Sequence, residues 1–328
     1  MRPVKITHPV SIRTPWGWLL DSVSGHRPDF VVGTLADRER IIVSGNPVAS
    51  QDVAPSTVVD AYDYTGPVIA RYWGQTLHFG FWDGPDDRTP FAAAADRLTQ
   101  LVAEQLTVGP GAEVLDVGCG NGKPAIDVAT ITGARVTGVD LNPRELEAAE
   151  GLARSVPGGD RVTFQVGDAL ALPLPDDSVD AAMAIESSPH IPLDPMFTEI
   201  ARVLRPGGRF VVATQFARKP VVGEAAERMA TLLEVWQVRA FNTLEEHVRA
   251  LAAAELDLHG FADLTKATQS SFPRLAAALR TARTGLAEEF GADKIARLIR
   301  AVEEYDQPEM GYLLLTAVKP KPFRPAVF

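Results

Sequence analysis

Three aspartates stand at or just past the ends of short apolar runs: Asp116 within VLDVGCGNGKPA (residues 114–125), Asp140 after VTGV, and Asp168 after VTFQVG. Behind Asp116 come Gly118, Gly120 and Gly122 at alternate positions, with Cys119 between the first two. Glycines so spaced let a backbone lie close against a ligand. A carboxylate at a strand tip can accept both ribose hydroxyls of an adenosine, which suits Asp140, 20 residues after Gly120. Asp168 is placed to accept from the adenine amino group, with Leu141 against the adenine face and Ala169 and Leu170 beside it. The chemistry these residues offer is recognition of an adenosine.

Lys123 stands where a G-x-G-x-x-G fingerprint needs its third glycine. The loop therefore need not cradle a pyrophosphate, which points away from NAD and towards S-adenosylmethionine (SAM) as cofactor. The SAM methyl is activated by its cationic sulfonium, so transfer calls for alignment and exclusion of water, and no metal site is expected. A weakly acidic acceptor hydroxyl needs a base near neutrality, and His190, in the run Ile185-Glu186-Ser187-Ser188-Pro189-His190, is the candidate. The plainer alternative is a histidine that only ties down its own loop. Glu186 divides in the same way, between a proton acceptor and a group that orients the cofactor amine. Cys119 reads as a small side chain in a tight loop rather than a nucleophile.

These groups need a frame. The pattern places strands at 113–117, 136–139, 162–166, 179–184 and 209–214, with helices at 90–106, 123–132 and after Asn142-Pro143, a cap followed by proline at the first helical position. A further helix enters the fifth strand through Arg205-Pro206-Gly207-Gly208, where Gly-Gly reads as a helix stop. Helical patterns follow at 224–241, 244–254 and 273–305, around a strand near 258–266, and the last strand runs 310–318. The expectation is an α/β, Rossmann-like doubly wound sheet of seven mostly parallel strands, with a helical lid inserted after strand 5.

The domain plan is fourfold. Residues 1–57 form an extension without a motif, with short strands near 30–34 and 40–44. It serves either as an ordered appendage for subunit contact, as in a homodimer, or as a disordered start. Residues 58–216 form the SAM-binding core and its aromatic cover, 217–306 the mainly helical lid and substrate region, and 307–328 the last strand and a proline-rich tail. The cover is AYDYTGPVIARYWGQTLHFGFWD (residues 61–83), with seven aromatics against a chain average of 7%. Such a segment fills a core or lines a pocket, and two helical turns are expected at 68–73.

Bulk properties narrow the partners. A net charge of −10 over 328 residues disfavours a nucleic-acid partner. No apolar run approaches a membrane span, and the polar start is not that of a secretory signal. One cysteine excludes an internal disulfide. The expected setting is the cytoplasm and the expected partner a small-molecule substrate.

The glycine loop, the aromatic cover, AIESSPHIP and RVLRPGGRF together resemble the class I SAM-dependent methyltransferases, most of all the small-molecule enzymes of natural-product pathways. That group includes γ-tocopherol methyltransferases and rebeccamycin-type sugar O-methyltransferases, and the likeness runs from about residue 62 to 320. The resemblance implies that the cover folds over the cofactor, bringing Tyr62 and His78 to its methionine end. It carries the cofactor site onto Asp116, Gly118, Cys119, Gly120, Asp140, Leu141, Asp168, Ala169, Leu170 and Ile185. Rebeccamycin-type enzymes pair two histidines with an aspartate on the fifth strand, whereas here Pro189 replaces the first histidine and Thr214 the aspartate. Some prenyl-diphosphate C-methyltransferases use a glutamate at the Glu186 position, which keeps C-methylation open. Tyr64, Tyr72, Trp73, Phe79 and Trp236 would then face developing positive charge, and a diphosphate would need Arg71, Arg218 or Lys219. A SAM-binding cyclase or scaffold without methyl transfer is the third reading.

Overall fold

The computed structural model describes residues 53–219, 221–305 and 308–322, without the Tyr64 side chain. The strands expected near 30–34 and 40–44 and the end of the tail lie outside these residues.

Seven strands form one sheet in the order β3-β2-β1-β4-β5-β7-β6. They are β1 (Glu113–Val117), β2 (Arg135–Asp140), β3 (Val162–Val166), β4 (Val179–Ile185), β5 (Leu204–Ala217), β6 (Asp257–Asp263) and β7 (Met310–Val318). β1 to β5 run parallel, while β7 is antiparallel to both of its neighbours. Strand order reverses between β1 and β4, so the loops leaving these two strands diverge and open a crevice at their C-terminal ends. Gly118 and Glu186 sit at its two lips.

β4 reads VDAAMAI and is buried along nearly its whole length, as a central parallel strand must be. Helix α1 (Pro55–Trp73) and α2 (Phe91–Leu106) precede β1; α3 (Lys123–Thr132), α4 (Pro143–Ser155) and α5 (Leu193–Val203) are the crossovers. The buried face of α5 carries Met196, Phe197, Ile200 and Val203 at helical spacing. Phe197 meets Phe210 of β5 edge-on at 5.1 Å, so this stripe fixes the helix to the sheet.

Two glycines show why the loop after β1 needs its sequence. A Cβ on Gly118 would lie 2.5 Å from Ser187 Cβ, and one on Gly122 would lie 2.5 Å from Phe164 Cζ. Both have φ near +75°, at 72° and 76°, a region glycine enters without cost.

Four expectations need adjustment. The cover helix is 19 residues long rather than two turns, because Pro67 is accommodated inside it, and the boundary expected at residue 57 falls within α1. Gly207-Gly208 does not stop a helix. α5 ends at Val203 and β5 begins at once, with Gly207 N–H bonded to Lys319 C=O at 2.7 Å across from β7. The stretch 224–241 is two short helices, α6 (Glu224–Arg228) and α7 (Ala230–Val235), followed by a turn at Trp236-Gln237 and irregular chain. Helices follow β5 as expected, ending with α8 (Leu244–Ala253), but the stretch 273–305 between β6 and β7 is divided into α10 (Ser271–Thr281), α11 (Arg283–Phe290) and α12 (Ala292–Glu304), with the short α9 (Thr265–Thr268) before them. No helix among the described residues is long and apolar enough to cross a membrane.

Candidate active site

The crevice holds a cavity of about 330 Å³. Its wall includes each residue assigned from the sequence to the cofactor: the glycine loop, the Asp140-Leu141 and Asp168–Leu170 tips, Asp116, Ile185, Tyr62 and His78. Gly120 N–H donates to Asp140 Oδ2 and Asn142 N–H to Oδ1, both at 2.9 Å. The Asp140 carboxylate is thus fixed between the glycine loop and the start of α4, where Asn142 caps Arg144 N–H. Each oxygen keeps a lone pair for a hydroxyl. Leu141 and Leu170 are 36% and 38% exposed, apolar side chains left uncovered where a flat ring would lie. Asp168 Oδ1 accepts from Leu170 N–H at 2.9 Å, which shapes that turn.

Asp116 is buried, and its Oδ2 has no partner. Burial, reinforced by Asp140, pushes its carboxyl up to about 8. Glu145, which sequence reasoning passed over, also lines the cavity, and burial beside Asp140 and Asp63 pushes it up to about 7. An unsatisfied buried carboxylate asks for a cationic donor, and Asp140 for hydroxyls. SAM brings an ammonium and a ribose diol, so the residues present fit this cofactor.

The cover is pinned to the cofactor side. Asp63 of α1 accepts from Asn142 Nδ2 at 2.9 Å and pairs with Arg144, and Gln75 C=O accepts from Asn121 Nδ2 at 2.7 Å. His78 lines the cavity but spends both ring nitrogens on the protein, Nδ1 on Phe79 C=O at 2.8 Å and Nε2 on Thr99 Oγ1 at 3.1 Å. Burial holds its imidazole down at about 4, so it stays neutral. Cys119 is buried and burial raises its thiol well above the usual value, so it has little thiolate character.

A second, smaller chamber of about 40 Å³ adjoins the first, and Tyr62, Leu77, Glu186 and His190 line both. Its other walls include Trp73, Trp236, Phe241, Phe272 and Tyr305, drawn from α1, the stretch between α7 and α8, α10 and the end of α12. Trp73 and Trp236 therefore reach the place expected of them. Phe79 does not: its N–H donates to Glu186 Oε1 at 2.7 Å, and its ring packs behind the chamber on Phe272 (4.7 Å) and Tyr312 (5.3 Å). Thr214 is wholly buried and accepts from Ser188 Oγ at 3.0 Å, so it steadies the turn carrying His190 from below. Tyr72 lines neither cavity, and the Tyr64 side chain lies outside the described residues. Arg71, Arg218 and Lys219 pair with Glu289, Asp263 and Glu309 and line neither cavity; on the wall, Arg239 is the lone Lys or Arg among the described residues.

Glu186 sits at the lip of β4 with φ +56°, a strained setting for a residue with a Cβ. Oε1 accepts from Phe79 N–H and from Tyr312 Oη–H at 2.9 Å, and Oε2 from Gln215 Nε2 at 2.6 Å. Burial raises its carboxyl to about 7 against the pull of these donors. Gln215 and Tyr312 were missed from sequence; their positions on β5 and β7 become meaningful only once the antiparallel register is known.

His190 Nδ1 lies 3.1 Å from Gln237 C=O, and Nε2 lies 3.0 Å from Tyr62 Oη. A carbonyl only accepts, so Nδ1 carries the proton and Nε2 offers its lone pair to the Tyr62 hydroxyl. Burial lowers the imidazole below its usual value and keeps it neutral.

Comparison with known proteins decides the family. A model described as a methyltransferase domain matches residues 115–212. The methyltransferase GfsG of Streptomyces halstedii is 35% identical over 271 residues, covering 82% of this chain and 96% of that protein. The chain belongs to the SAM-dependent methyltransferases. The 27-O-demethylrifamycin SV methyltransferase of Amycolatopsis mediterranei is 33% identical over 269 residues, 81% of this chain and 98% of that one. Among solved structures, the [4+2]-cyclase SpnF is similar at 33% identity with a TM-score of 0.73, covering 85% of this chain and 100% of that one. SAM is the cofactor of this methyltransferase family member, and its substrates are small molecules.

Proposed function

We propose that the protein O-methylates a hydroxyl of a largely apolar secondary metabolite, with His190 as the proton acceptor. The carrying observation is the His190 tautomer: a neutral imidazole with its Nε2 lone pair at the junction of the two cavities. Bound SAM supplies an electrophilic methyl on a cationic sulfur. Asp140 would hold the ribose hydroxyls, Asp116 and Glu145 the cationic end, and Leu141 and Leu170 the adenine. Trp73, Trp236, Phe241 and Phe272 would exclude water around the acceptor. The indole N–H groups of Trp73 and Trp236 are buried without partners, which favours an acceptor bearing carbonyl or ether oxygens beside its hydroxyl. The rifamycin relative's name, an O-methyltransferase of a natural product, supports the same class.

Glu186 serves in this reading as a fixed anchor. Its three donors hold the carboxylate in one orientation and leave one lone pair of Oε2 for an incoming group. The paired state of Arg71, Arg218 and Lys219 weighs against a prenyl diphosphate. A second reading rests on the similarity to SpnF: a cyclase that binds SAM and uses the aromatic chamber to fold a polyene. Incubation with SAM and a panel of hydroxylated polyketides, 27-O-demethylrifamycin SV among them, separates the two by mass. A gain of one methyl group supports O-methylation, and an unchanged mass with a new ring supports cyclisation.

A further inference from the structure

We propose that Tyr62 is a catalytic residue: its phenol oxygen takes the acceptor's proton while its own proton passes to His190, the two side chains acting as a relay. The proposal rests on the O-methylation reading above. The Nε2 lone pair of His190 is already engaged by the Tyr62 hydroxyl at 3.0 Å, so an acceptor hydroxyl meets Tyr62 first. Tyr62 lines both the cofactor cavity and the aromatic chamber, which places its oxygen between methyl donor and acceptor. Its ring is held edge-on to His190, with centroids 5.4 Å apart, and against Trp236 at 6.2 Å.

The step balances. The acceptor oxygen gives its proton to Tyr62 Oη as it bonds to the methyl carbon, and the C–S electron pair stays on sulfur. Tyr62 gives its original proton to His190 Nε2, leaving an imidazolium whose Nδ1–H still faces Gln237 C=O. Burial and the nearby Glu186 hold the phenol well above its usual acidity range, so the two transfers must be concerted, with no free phenolate.

The relay is built from three separate parts of the chain. Tyr62 comes from the cover helix α1, His190 from the tip after β4, and the carbonyl that sets the tautomer from Gln237, after α7. Gln237 has φ +50°, and its side chain donates to Glu234 C=O at 2.7 Å. Gln237 is thus a positioning residue, and the base is complete only when cover and lid segments are both in place.

The test is ¹⁵N NMR of histidine-labelled protein saturated with S-adenosylhomocysteine (SAH), wild type against Tyr62→Phe. The relay predicts Nδ1 protonated and Nε2 bare in both, with the Nε2 resonance moving towards a free lone pair in Tyr62→Phe. An Nε2 resonance unchanged by the substitution overturns it, because Tyr62 has then turned away to another partner. With any panel acceptor that is O-methylated, Tyr62→Phe should lose roughly 100-fold in kcat while SAH affinity stays within about twofold. Full kcat with a retained O-methyl product refutes the relay alone; a C-methylated or cyclised product instead refutes the O-methylation reading.

Discussion

The two cavities of this methyltransferase are built by opposite strategies. The cofactor cavity is made mostly of strand tips and their loops, with the cover segment, Tyr62 and His78 among it, closing one side. Asp140 fixes Gly120 and Asn142 by backbone hydrogen bonds, and its neighbours in sequence supply the apolar faces. The smaller aromatic chamber, proposed to take the acceptor, instead draws Tyr62 and Trp73, Glu186, Gln215, Trp236 and Phe272 from five separate stretches. The first design fixes one ligand common to a whole family. The second can be altered by changing side chains on helices that the sheet does not need, which is how one fold comes to accept different molecules.

Substitutions that separate the two sides test this contrast. His190→Ala should lower kcat for O-methyl transfer by roughly 10²–10⁴-fold and leave SAH affinity near wild type, as calorimetry and single-turnover kinetics would read. Asp140→Asn should do the reverse. Losing a charged acceptor costs about 1.5–3 kcal/mol, so SAH should bind some ten to a hundred times more weakly, and kcat at saturation should fall little. If either variant damaged both quantities equally, the division would fail.

Smaller effects sharpen the picture. In wild type, kcat should rise with pH through an acid limb below the ordinary imidazole value, since His190 is held neutral by burial. Glu186→Gln should leave that limb in place. A limb near 7 that disappears in Glu186→Gln would transfer the base to Glu186. Stability of the SAM-free protein should decline as pH climbs from about 4 to about 8, because Asp116 binds its proton more tightly folded than unfolded. Asp116→Asn should flatten that slope in thermal melts. Tyr72→Phe should change kcat and KM by less than about twofold, within the range expected of a residue away from the site.

What could be read from sequence follows the same divide. Strand ends and glycine turns are local, so β1, β3 and β7 fall where the pattern puts them and the cofactor wall follows. The acceptor chamber depends on register and on ring orientation. Phe79 sits in the expected segment, yet its backbone N–H is drawn to Glu186 and its ring turns into the core. Thr214, which the resemblance sets in place of a family aspartate, lines neither cavity and accepts from Ser188 Oγ instead. Tyr62, expected at the methionine end of SAM, lines the cofactor cavity, and its hydroxyl also meets His190, 128 residues away in the chain, a contact the sequence does not show. Pro67 and Gly207-Gly208 look like breaks, but tertiary packing carries a helix through the first and a strand through the second.

The most direct test uses SAM labelled with ¹³C in its methyl group and NMR of the product from a hydroxylated polyketide acceptor. O-methylation through His190 places the label on oxygen, with near-complete loss in His190→Ala protein that still binds SAH. Label on carbon, or O-methylation at the wild-type rate without His190, would contradict it.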